Sequence, residues 1–237
     1  HTEFIVEPHA IDILPTLIHH YEEPFADSSA LPTYYVSKLT REHVTVALNG
    51  DGGDENFAGY SRYSAFQASI FLERFAWLAK TIGVPITRCI KNVFPNTFFD
   101  RIYRLTQSLS VDYRERYMGF TSYFTNEQKE KLYTDAFKKK IQGSNTYSLV
   151  AKEFLQSGSH NKTEQAVYAD FAMYLPVDLL VKVDIASMAV SLEGRSPFLD
   201  HEFLELTAQI PFGLKLKGLN NKKYILKEAL RGILPDE

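Results

Sequence analysis

VTVALNGDGGDENFAGY, residues Val44 to Tyr60, is the stretch on which the reading of this chain turns. Val44 to Leu48 is continuous, apolar and rich in β-branched residues, as a strand buried on both faces of a parallel sheet is. Helical patterns lie on both sides of it, so the expected fold is α/β, a parallel sheet with flanking helices. Ligands of such sheets bind in the crevice beyond the carboxyl ends of the strands, and Asn49 to Glu55 falls there. The turn holds Asp51, Asp54 and Glu55 where the strand gives way to a helix. At roughly 4 Å and an effective dielectric near 20, each like-charge contact costs about 4 kcal/mol before screening. A cation relieves that cost, and magnesium carried on a polyphosphate supplies one, with Asp54 as its ligand. Gly50, Gly52 and Gly53 let the backbone approach a bound group, while amides at the helix start favour an anion. The plainer reading has Asp51 and Asp54 capping the helix and balancing its dipole. Three acids among three glycines outweigh it.

Outward from this turn, Ala10 to Tyr21 reads as a helix, because Ile11, Leu14, Leu17, Ile18 and Tyr21 recur at helical spacing. Glu22 to Pro32, EEPFADSSALP, is rich in turn formers and carboxylates and forms a candidate ligand loop before a second helix over Thr33 to Leu39. Ser61 to Lys140 is mostly helical and aromatic, broken at Gly83 to Pro85 and at Pro95 to Asn96. Gly143 to Asn145 and Ser157 to Lys162 read as loops. Gln165 to Leu192 is a long helical pattern that Pro176, lacking an N–H, ends or kinks, with Val177 or Asp178 restarting it. Leu192 to Asp200 follows, and Asp200 is placed to cap a helix bearing Phe203, Leu204 and Leu206. Asn221 to Gly232 reads as a basic amphipathic helix with a glycine stop. The C-terminal half is thus predominantly helical.

With 237 residues, 45% of them hydrophobic, the chain has ample material for a buried core. Its formal net charge of −3 removes the electrostatic case for nucleic acid. The single cysteine, Cys89, forms no internal disulfide, and no His/Cys cluster suggests structural zinc. The histidines, His9 among them, lack metal-ligand spacing. Apolar runs such as Phe75 to Ala79 are far shorter than the about 20 residues needed to span a bilayer. These features predict a soluble cytoplasmic protein that engages neither membrane nor nucleic acid. Opening at His1 and stopping at Glu237, the chain reads as cut at both ends.

Three segments, NGDGGDENFAGYSRY, YEEPFADSSALPTYYVSKL and LPVDLLVKVDIASMAVSLEGRSPFLDHEFLEL, resemble the synthetase, or ATP-pyrophosphatase, domain of glutamine-dependent asparagine synthetases in order and spacing. The resemblance covers nearly the whole chain and implies an adenine-nucleotide α-hydrolase-like fold. It divides the chain into an α/β nucleotide-site part at 1–60, a variable helical region at 61–160 and a helical substrate-side part at 161–237. It implies ATP and magnesium, activation of aspartate as an aspartyl adenylate, and ammonia delivered from glutamine by a glutaminase domain of the same parent chain. It also allows a homodimer.

Carried over by that resemblance, Asn49, Gly50, Gly52 and Gly53 bind the nucleotide and Asp54 holds magnesium. Asp51 stands where the best-known members have a glutamate that assists amide formation; a shorter acid still accepts a proton or orients an amine. Glu55, Lys182 and Asp184 face the acyl substrate, while Ile185 replaces a basic residue of many members. For Lys182 and Asp184 the alternative is a snorkelling lysine and a salt-bridged aspartate on a partly exposed helix. Glu193, Arg195 and Asp200 read as an ion pair and a helix cap that support the site, and Lys222, Lys223 and Lys227 as a solvated helix face. The pyrophosphate-gripping loop S-G-G-x-D-S of this family does not occur in the sequence, nor does the later lysine of an R-x-K segment. The isolated chain is therefore expected to be inactive, since positioning and fixed charge carry such chemistry. The alternatives are an adenylating, amide-forming relative with another acyl substrate and a non-catalytic module of the same fold.

Overall fold

The computed structural model describes residues 3, 5, 10–94 and 96–235; His9 and Pro95, the latter at an expected break, lie outside them. The described residues fall into two compact units. One comprises those up to 59, 170–215 and those from 225 on; the other comprises 60–169 and 216–224.

The first unit opens with α1 (Ala10–Tyr21) and α2 (Ala30–Arg41). α1 occupies the range its apolar spacing predicts and buries Leu17 and Tyr21. α2 starts three residues before the expected Thr33 because Asp27 shapes the preceding turn. Its Oδ1 accepts from the Ser29 N–H at 2.9 Å and the Ser29 hydroxyl at 2.8 Å. Pro32 is tolerated there because a first-turn residue needs no N–H bond. Leu17, Tyr21, Ala30 and Tyr34 pack with Ala186 of α4 (Leu180–Met188), reached after α3 (Gly53–Asn56), into one apolar cluster.

The sheet has two strands. β1 (Val46–Leu48) pairs in parallel with β2 (Glu193–Arg195), Val46 opposite Glu193 and Leu48 opposite Arg195. Parallel pairing among helices is that of an α/β fold. Two expectations need correction here. The strand predicted to be buried on both faces leaves Val46 38% and Leu48 73% exposed, because β1 has a single hydrogen-bonded neighbour. The neighbour itself, drawn from Leu192 to Asp200, was not foreseen: Glu-Gly-Arg has no strand propensity and is recruited by pairing alone. Beyond β2, Asp200 Oδ1 accepts from the N–H groups of Glu202 and Phe203, both at 3.1 Å, and caps α5 (His201–Ala208) as predicted.

Pro176 neither ends the helical run nor restarts it at residue 177 or 178. It lies inside a π-helical stretch, Asp170–Leu179, whose wider turns accommodate the missing donor, and α4 begins only at Leu180. The helix expected over Asn221 to Gly232 is confined to Tyr224–Ala229, since Asn221 and Lys222 pair antiparallel with Leu216 and Lys217.

The second unit is helical and aromatic. Helices Ser61–Phe71, Tyr113–Thr121 and Thr146–Gln156 enclose Tyr63, Phe66, Tyr117 and Phe154, all at most 2% exposed. Phe66 meets Tyr117 edge to face at 5.0 Å and Tyr117 meets Phe154 likewise at 5.7 Å, while Tyr63 lies nearly parallel to Tyr117 at 6.4 Å. Buried Arg116 satisfies its guanidinium on the carbonyls of Ser69, Ser108 and Val111. Among the described residues no helix is long and apolar enough to cross a membrane.

Candidate functional site

In the first unit a cleft of about 410 Å³ opens at the carboxyl ends of the paired strands. Asn49 and Asp51, just past β1, line one wall; Gly194 of β2 and Ser196 line another. Asp184, Ser187 and apolar residues of α4 complete it with Pro176. This is the sheet-end position expected for the site.

The strand-to-helix turn takes its shape from two contacts. Gly52 caps α3 at φ 84°, and a Cβ there would stand 2.2 Å from Leu199 Cδ2. Both the left-handed backbone and the close approach require glycine. Asn56, 5% exposed, donates from Nδ2 to the carbonyls of Gly52 at 2.9 Å and Phe198 at 2.7 Å, and accepts from the Thr207 hydroxyl at 2.8 Å. The turn is thereby fastened to the segment before α5 and to α5 itself. α3 is only four residues long, so the expected anion-binding helix start is a single turn with little dipole behind it.

Asp51 Oδ2 is buried and has no hydrogen-bond partner among the described residues. Burial pushes its carboxyl above the usual carboxylate range, against the charge of Lys182. A cleft carboxylate so held favours taking up a proton. Lys182, 8% exposed, gives its Nζ to Asp27 Oδ2 at 2.8 Å. The Tyr21 hydroxyl donates to the Lys182 carbonyl at 3.0 Å. Burial opposes ionisation of Asp27, yet hydrogen bonds from Lys182 and Ser29 hold it below the ordinary aspartate value. Burial, then the charge of Asp27, raises Asp178, with Lys182 opposing. Burial and the charges of Asp27 and Asp178 push the Tyr21 hydroxyl up to about 12.

Of the residues expected from the sequence, the cleft brings Asn49, Asp51 and Asp184 together. Gly50, Gly52, Gly53, Asp54, Glu55 and Lys182 are not among its lining residues. Gly50 sits in open space, Gly53 and Glu55 are buried in α3, and Asp54 and Glu55 both have interactions within the protein. Lys182 is neither a snorkelling side chain nor a partner of Asp184, since it is buried against Asp27. Asp27, Tyr21, Asp178, Gly194 and Ser196 were not singled out beforehand as site residues. The candidate ligand loop Glu22 to Pro32 was the one signal that pointed to Asp27.

Among the described residues no group of three or more His, Cys, Asp or Glu could hold a metal, and Asp54, the expected ligand, is not among the cleft's lining residues. The donor set is too sparse for a protein-built cage.

The asparagine synthase family model matches residues 1–237. Asparagine synthetase (glutamine-hydrolyzing) 1 of Bacillus subtilis is 32% identical over 224 residues, 94% of this chain and 34% of that protein. A putative asparagine synthetase (glutamine-hydrolyzing) of Mycobacterium tuberculosis is 31% identical over 223 residues, 94% of this chain and 32% of the relative. Amidase chyE of Penicillium rubens is 24% identical over 244 residues, 92% of this chain and 34% of that protein. The chain spans about a third of the length of these relatives. No solved structure matches it.

Proposed function

The chain belongs to the asparagine synthase family, and from that premise we propose that it is the nucleotide- and acyl-handling part of a glutamine-dependent asparagine synthetase. In the parent protein the side-chain carboxylate of aspartate attacks the α-phosphorus of ATP, and pyrophosphate leaves. Ammonia, released from glutamine by a glutaminase domain of that parent, then adds to the acyl carbon of the aspartyl adenylate. AMP departs with the bonding electrons, and the nitrogen loses its extra proton. Asp51 takes that proton, a role its buried, unpartnered Oδ2 supports. Asn49, Gly50, Gly52 and Gly53 form the nucleotide side. Asp184, in the cleft wall, together with Lys182 and Glu55 forms the acyl side. Asp54 is the proposed contact of magnesium, which when bound offsets phosphate charge.

The observation that carries this reading is the joining of Asn49, Asp51 and Asp184 in one cleft at the strand ends. Aspartate-dependent pyrophosphate release by the parent protein, retained in Asp51→Ala while asparagine formation is lost, is the expected result. Release that ignores aspartate, or asparagine formation that survives Asp51→Ala unchanged, overturns it. The 237-residue chain alone is proposed to bind nucleotide weakly and to form no asparagine, because it contains no S-G-G-x-D-S sequence.

One observation favours a second reading, amide formation on another acid. Lys182 is engaged by Asp27, which leaves the cleft with Asp51 and Asp184 as its charged lining, a poor reception for a dicarboxylate. Pyrophosphate release measured with aspartate against monocarboxylic acids separates the two.

A further inference from the structure

Four observations converge on the side chain of Asn49. Its Oδ1 accepts from the Ser196 hydroxyl at 2.5 Å and from the backbone N–H of Asp51 at 3.3 Å. An amide N–H can only donate, so the atom facing it is the carbonyl oxygen, and the orientation of the carboxamide follows. With both lone pairs of Oδ1 engaged, the Nδ2 hydrogens are what the group has left to offer. Gly194, on the neighbouring strand opposite Ala47, has no positive φ to explain its identity, yet a Cβ there would stand 3.3 Å from Asn49 Nδ2. Glycine at this position keeps room for the amide nitrogen. Asn49, Asp51, Gly194 and Ser196 all line the cleft.

We propose that Ser196 and Gly194 are positioning residues that hold the Asn49 carboxamide with its N–H₂ presented to the cleft, making Asn49 a side-chain contact for a hydrogen-bond acceptor atom of the bound nucleotide. The nucleotide is taken from the function proposed above, and this inference rests on that reading for its ligand. The geometry of the pinned amide does not depend on it. Oδ1 is unavailable, so Asn49 does not read a base edge with donor and acceptor together. It offers a donor alone, to a ribose or phosphoryl oxygen or a ring nitrogen, and a donor fixed before binding loses less freedom on contact.

The test uses the full 237-residue chain labelled with ¹⁵N, watching the side-chain amide signals of Asn49. Without ligand, wild type is expected to show a distinct Asn49 pair with slowed solvent exchange. Ser196→Ala should move it to the position and exchange rate of an exposed asparagine, and Ser196→Thr, which keeps a hydroxyl, should restore it. Gly194→Ala should displace the same pair while the thermal midpoint of the chain stays within the range of the other variants. An Asn49 pair that is unaltered in both Ser196→Ala and Gly194→Ala overturns the proposal. AMP and ATP are then titrated. A shift of the Asn49 signals, with affinity about tenfold weaker in Ser196→Ala and in Asn49→Asp, supports it, tenfold being the effect of one well-placed hydrogen bond. Nucleotide that binds but leaves the Asn49 signals untouched overturns it. If no nucleotide binds while the ligand-free signals behave as expected, the nucleotide assignment fails and the pinned donor stands.

Discussion

Gly52 shows how a residue type chosen for one reason on sequence grounds serves another in the fold. Its place in a glycine-spaced acidic turn suggested close approach to a ligand, whereas the structure has it passing under Leu199 at positive φ. Gly52→Ala is therefore expected to lower stability by about 2–4 kcal/mol, combining left-handed strain with overpacking. A urea titration checks this. Asp51 carries the opposite expectation. Its carboxyl is raised in the fold, so its contribution is favourable below the unfolded value and is lost as pH rises through the folded one. Asp51→Asn, which cannot ionise, should stabilise the chain near about pH 7, with the advantage shrinking toward about pH 4. Urea midpoints at the two pH values decide it; a variant less stable than wild type near neutrality refutes the burial argument. The sequence showed that Asp51 belongs to a site, because an acid in a glycine turn after an apolar strand has few other uses. That it alone of the three acids in the turn reaches the cleft depends on where α3 turns, which Gly52, Leu199 and Asn56 settle across more than 140 residues of chain.

At the level of elements, the tie between Asp27 before α2 and Lys182 on α4 fixes the wall that bears Asp184. Both side chains are largely buried, 10% exposed for Lys182 and 16% for Asp27. Removing one partner leaves the other uncompensated. Lys182→Met is expected to cost about 3 kcal/mol, and the double change with Asp27→Ala to cost less than the sum of the two singles. The pH dependence follows from Asp27, whose folded value lies below the ordinary one. Its stabilisation is present above the unfolded value and disappears as pH falls through the folded value, a loss that should be smaller in Lys182→Met, where only the Ser29 hydrogen bonds remain to favour the carboxylate. α1, β1 and the cap of α5 were legible because local pattern decides them. β2 was not, since Glu193 to Arg195 becomes a strand only by pairing 147 positions away in sequence, Val46 with Glu193. The π-helical passage through Pro176 was equally hidden, because a proline in a helical pattern ordinarily marks a break.

Across the whole molecule, the helical and aromatic region between residues 61 and 160, which offers no chemistry to a reader of the sequence, falls within a unit comprising 60–169 and 216–224, with an aromatic interior and a buried arginine bonded through all three guanidinium nitrogens. The cleft belongs to the other unit, assembled from stretches far apart in the chain. Among the described residues that unit's sheet consists of two three-residue strands, both of them edges. An open strand edge beside an exposed Leu48 is a template for intermolecular strand addition. Light scattering of the concentrated chain should therefore grow with time, and Leu48→Lys should suppress it without altering the thermal midpoint; equal turbidity in the two would exonerate β1. The same ladder of amides and carbonyls that lets β2 find β1 thus sets how crowded a solution of this polypeptide can become before molecules knit together.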